Sequence, residues 1–157
     1  MNRRKVAKLS PVLALLFLLT ACSGNFSSKL RLVLLAAPPL IQSLPLSTDL
    51  KSGLITDFTD MGDRTATLGE CLNGAASKPA KLVCVQTYEP QIETIIARGH
   101  FGNANNERLN QILGLIRGII ASARIFYGEP TAAASTTKVT EKSIKQQVDE
   151  LNRLMKP

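Results

Sequence analysis

The stretch TDLKSGLITDFTDMGDRTATLGECLNG (residues 48–74) carries Leu50, Leu54, Phe58, Met61, Thr65, Leu68 and Leu72 at successive steps of 4, 4, 3, 4, 3 and 4. That spacing predicts one apolar stripe along a helix of about 25 residues, far too long a run for any strand reading. Thr48 is the expected N-cap, Asp49 suits the positive first turn, and Asn73-Gly74 supplies the stop.

Downstream, Ser77 and Pro79 open a second helix that runs to Arg98-Gly99, with Leu82, Val85, Ile92, Ile95 and Ile96 as its apolar positions and a kink expected at Pro90. Cys71 and Cys84 lie on either side of the turn between the two helices, at nearly equal distances from it. Two antiparallel helices bring such positions face to face, so a Cys71–Cys84 disulfide is expected near the turn. The alternative is two buried free thiols. Two cysteines and one distant histidine are too few ligands for a zinc site, and no metal or other cofactor is expected.

A third helix is predicted over residues 104–127, its broad apolar face made by Leu109, Ile112, Leu113, Ile116, Ile119, Ile120 and Ala123. Gly114, Gly118 and Ser122 line up opposite, as expected where a neighbouring helix or a partner approaches closely; an undistinguished exposed face is the alternative. Arg117 and Arg124 exclude a membrane-spanning small-residue motif. Tyr127-Gly128-Glu129-Pro130 breaks the chain, residues 131–139 form an Ala/Ser/Thr linker, and residues 140–157 hold an amphipathic helix behind Thr140. Its apolar side, Ile144, Val148, Leu151 and Met155, either docks on the bundle or binds a partner. Docking is the expectation, because four exposed large apolar groups would promote aggregation.

Residues 30–46 are apolar but interrupted by Pro38-Pro39 and Pro45. They read as a short helix to about Ala36 and a further turn beginning at the prolines. With no Trp and few aromatics, the core must be Leu, Ile, Val and Ala, which favours helices over a β-sandwich. The fold class is therefore all-α: a bundle of four or five helices with a disulfide-linked hairpin at its centre. The bundle proper is expected over residues 29–130.

Ahead of it stands a basic head (Arg3, Arg4, Lys5, Lys8), an apolar run from Val12 to Leu19, and Leu19-Thr20-Ala21-Cys22. The run is too short for a permanent span and has the flanks of a secretory signal. The last four residues resemble the lipobox of bacterial lipoproteins. By that resemblance residues 1–21 are removed, and Cys22 is diacylated, becomes the N-terminus and is acylated again. Residues 22–28 would then form the acylated cysteine and a polar tether, keeping Lys29 and Arg31 near the headgroups. Ser23, where enteric sorting would require aspartate for inner-membrane retention, implies the periplasmic face of the outer membrane. In a Gram-positive host the same anchor implies the outer face of the plasma membrane. Export also agrees with a disulfide.

Removal of the signal changes the charge argument. Of nineteen Lys and Arg, four lie before Cys22; the remaining fifteen face twelve Asp and Glu, so the formal charge falls from +7 to +3. The basic residues are dispersed, without the stripe a nucleic-acid binder needs. No nucleic-acid partner is expected; the membrane is, through the lipid, and with it another envelope protein.

Asp57, Asp60 and Asp63 invite a cation-site reading, but they drift around the helix, with only Asp57 bordering the apolar stripe, and calcium needs six to eight oxygens. They read as a solvated acidic face. His100, the single histidine, lies in the turn Arg98-Gly99-His100-Phe101-Gly102-Asn103. No nucleophile elbow, phosphate loop or HExxH motif accompanies it, so it reads as structural. A small periplasmic enzyme centred on His100 is the competing expectation to a non-enzymatic binding or scaffold module.

Overall fold

The computed structural model describes residues 25–129 and 139–157, so the signal segment, the Cys22 acylation site and nearly all of the linker lie outside the described residues. Seven helices and no strand occur among them: α1 (Phe26–Leu35), α2 (Pro38–Ser43), α3 (Thr48–Gly74), α4 (Lys78–Ile96), α5 (His100–Ala104), α6 (Glu107–Tyr127) and α7 (Glu141–Leu154). The all-α bundle with its linked hairpin is what the structure contains.

Local chemistry sets most boundaries. The cap of α3 is Ser47 rather than Thr48, its Oγ accepting from the Leu50 amide. Ser77 caps α4 and Asn106 caps α6 in the same way, while Thr140 and Ser143 form a reciprocal capping box on α7. Pro38 and Pro39 open α2, where their missing amide hydrogens cost nothing. Gly128 closes α6 at φ 111°, a left-handed conformation suited to glycine. The third predicted helix, α6, starts at Glu107 rather than at residue 104; the short α5 precedes it, and Asn105 between them also takes the left-handed conformation, φ 42°.

The five long helices close a ring. α1 packs on α3, α3 on α4, α4 on α6, α6 on α7, and α7 returns to α1, while α2 and α5 cover the far end of α3. Neighbours around the ring run antiparallel except α1 and α7, because an odd number of helices cannot alternate all the way round. The core stripe of α3 buries Leu54, Phe58, Met61, Thr65, Leu68 and Leu72. It meets Val85, Tyr88 and Ile92 of α4, the apolar face of α6, and Leu30 and Leu34 of α1 in one continuous core. The hairpin is pinned at its turn by the disulfide, with Cα atoms 5.8 Å apart. Further along it, Thr65 Oγ1 donates to the Met61 carbonyl at 2.7 Å and accepts the Tyr88 hydroxyl, also at 2.7 Å. Burial pushes the Tyr88 phenol well above its ordinary range and keeps it neutral.

One expectation is corrected here. The tether does not reach residue 28, since α1 begins at Phe26 and buries both Phe26 and Ser27; the bundle accordingly starts before residue 29. Ile144, Val148, Leu151 and Met155 dock on the bundle as expected and leave no free binding face: all four are buried, closing the ring between α6 and α1. Lys29 reaches Asp149 of α7 at 3.3 Å, with both side chains exposed.

Candidate functional site

Asp57 lies one turn from Leu54 and beside Phe58 on the core stripe, and its side chain is fully buried. The expectation of a solvated acidic face is therefore wrong at this position. A buried carboxylate is stable only when its oxygens are matched by donors, and both are. Arg98 Nη1 donates to Oδ1 at 3.1 Å and His100 Nδ1 donates to Oδ2 at 2.8 Å. Arg98 Nη1 also reaches Asp60 Oδ2 at 2.5 Å. The hydrogen bonds it donates to Asp60 and then to Asp57 raise the guanidinium further above its already high value.

The turn that assembles this cluster depends on Gly99, whose φ of 90° reverses the chain between Arg98, two residues past the end of α4, and His100, the first residue of α5. Two residues so close in sequence thereby grip one carboxylate from both sides. Phe101 follows and is buried, edge-on to Phe58 with ring centroids 5.4 Å apart. α5 is thus fastened to adjacent residues of α3 by one polar and one apolar contact. The imidazole also lies against the α3 backbone at Gly53, where an added Cβ would come within 2.6 Å of Cδ2 and 2.7 Å of Nε2.

A carboxylate behind Nδ1 orients an imidazole and favours the tautomer whose Nε2 accepts a proton. Here the Nε2 edge is pressed towards Gly53, and no hydroxyl or thiol hydrogen-bonds the ring among the described residues. Nor do the described residues hold a group of three or more His, Cys, Asp or Glu arranged to bind a metal ion. The geometry suits a latch joining α3 to the α4–α5 turn.

Cys71 and Cys84 are brought together as expected. Of the small-residue stripe on α6, Ser122 accepts from Gln147 Nε2 of α7 at 3.1 Å, but a Cβ at Gly114 or Gly118 would meet nothing within 4 Å. Among the described residues, no helix uses those two glycines. The close approaches are on α3 instead: Gly53 under His100, Gly62 under Leu35 and Gly69 under Ser27. Gly62 and Gly69, seven residues apart, share the face on which α1 lies. The same spacing argument applied to α3 finds them. α6 has the length and composition to cross a membrane, but most of its apolar residues form core, Arg108 donates to the Leu154 and Lys156 carbonyls, and its other two arginines are spent on ion pairs. Arg117 grips Glu93 through two bonds of 2.7 Å, and Arg124 holds Glu89 and Glu129.

Comparison with protein-family models, with curated proteins and with solved structures yields no match.

Proposed function

We propose that this chain is a bacterial lipoprotein: a helical module exported, acylated at Cys22 and held at the cell envelope, where it binds or scaffolds another envelope component without catalysing a reaction. The observation that carries this reading is Leu19-Thr20-Ala21-Cys22 behind a basic head and an apolar run. Two acyl groups or more make such an anchor stable, since one chain alone binds marginally. The linked pair Cys71–Cys84 supports an oxidising compartment, and Ser23 supports the periplasmic face of the outer membrane. The expected result is recovery of wild-type protein in the membrane fraction with metabolic incorporation of palmitate, and loss of incorporation in Cys22→Ala. A soluble, unlabelled wild type overturns the reading.

A small enzyme centred on His100 is the second reading, favoured by the 2.8 Å Asp57–His100 contact. The placement of Nε2 against Gly53 speaks for the latch. In a host with a measurable phenotype on deletion, His100→Gln restores function as a stable scaffold would; failure of a correctly folded His100→Gln protein makes the imidazole catalytic.

A further inference from the structure

The lipoprotein reading, on which this inference rests, has a consequence for how the bundle stands. Cys22 precedes Asn25 by three residues, a separation of at most about 11 Å however the chain runs. Asn25 is itself placed: its Nδ2 donates to Asn73 Oδ1 at 3.1 Å, tying the start of α1 to the end of α3. An acylated Cys22 therefore leaves only one end of the ring within reach of the bilayer. That end comprises the α3–α4 turn and the last turn of α6.

Its charges suit the placement. Glu129 is held by Arg124, and Glu141 by Lys145 at 2.8 Å. Lys78 and Lys81, at the start of α4, have no carboxylate within 4 Å among the described residues, and Lys78 Nζ instead lies 5.0 Å from the Phe126 ring centroid. Beside them the turn offers Ala75, Ala76, Ser77 and Pro79, small residues without charge. Glu70 stands one turn further back. Cations near an anionic membrane surface are attracted within about a Debye length, roughly 8–10 Å, the same distance the tether allows.

We propose that the end of the bundle formed by Asn25, residues 73–81 and the Phe126–Tyr127 end of α6 rests on the anionic phospholipid headgroups of the anchoring membrane, with Lys78 and Lys81 in contact with them. The bundle then stands upright. At 1.5 Å per residue, the sixteen residues from Asn73 back to Asp57 hold the His100 latch about 24 Å above that surface, facing the aqueous compartment.

The chain contains no Trp, so single reporters can be read directly. Ala76→Trp marks the near end and Asn103→Trp the far end; both positions are exposed. The acylated protein is placed in vesicles of phosphatidylethanolamine and phosphatidylglycerol carrying a headgroup nitroxide lipid. The expected result is strong quenching of Ala76→Trp with Asn103→Trp unaffected, and clear loss of the Ala76→Trp quenching when Lys78→Gln and Lys81→Gln are added. Equal quenching of the two reporters, or quenching indifferent to the lysines, overturns the proposal. Mass spectrometry of the same preparation separates the two levels: acylated protein with equal quenching refutes the upright placement alone, whereas unacylated protein refutes the lipoprotein reading and the placement with it.

Discussion

His100 Nδ1 sits 2.8 Å from Oδ2 of Asp57, a carboxylate wholly enclosed on α3 forty-three residues earlier. Arg98 holds the other oxygen, so one buried group fixes the angle at which the chain leaves α4. Asp57→Ala removes two charge-assisted hydrogen bonds at once. It is expected to cost about 2–3 kcal/mol, lowering Tm by roughly 10 °C in a domain of this size. Thermal unfolding followed by circular dichroism checks it, and an unchanged Tm would mean that the cluster latches nothing.

Glycine substitutions separate the close approaches from the open face. Gly53→Ala drives a Cβ into the His100 imidazole and is expected to destabilise by about 1–3 kcal/mol through overpacking, shifting the His100 ring resonances as the ring leaves Asp57. Gly114→Ala and Gly118→Ala meet open space and should stabilise by up to about 1 kcal/mol each, the helix-propensity difference. If all three changes destabilise equally, the α6 glycines face a contact outside the described residues.

Cys71 and Cys84 close a loop of thirteen residues. In the chain-entropy account such a loop contributes about 3 kcal/mol. The Cys71→Ser/Cys84→Ser protein is therefore expected to melt about 10 °C lower while keeping its helical spectrum. Two alkylatable thiols in protein taken from its native compartment would contradict the linkage.

Acid should weaken the α4–α6 seam before it reaches the core. The Arg117 hydrogen bonds hold the Glu93 carboxyl below its ordinary value of 4.5. A depressed folded pKa means stability that is present above the unfolded value and lost as pH falls through the folded one. Glu93→Gln removes that dependence, so its urea midpoint should fall less than that of wild type between about pH 5 and pH 3. A steeper fall in the variant would reverse the sign and exclude the pair as a contributor.

Helix positions were readable because their causes are local. Leu50 to Leu72 carry the period, Ser77 and Thr140 cap, and Cys71 and Cys84 straddle a turn. What α7 packs against was not readable. Ile144, Val148 and Leu151 announce an apolar face, but that it meets α1 as well as α6 follows from ring closure, which no window of sequence contains. Asp57 illustrates the boundary between the two. Its place beside the stripe was visible on the helical wheel, while its partners depend on the length of α4 and on the turn at Gly99. Gly114 and Gly118 show the converse: a wheel tells which residues share a face, not whether a neighbour lies over it.

The central claim is that Cys22 anchors the protein by lipid, and intact-mass spectrometry of protein purified from its own membrane tests it most directly. The predicted species begins at Cys22, lacks residues 1–21 and carries the added mass of a diacylglyceryl group, with or without a further amide-linked chain. A species retaining residues 1–21, or one with a free thiol at Cys22, would contradict the account.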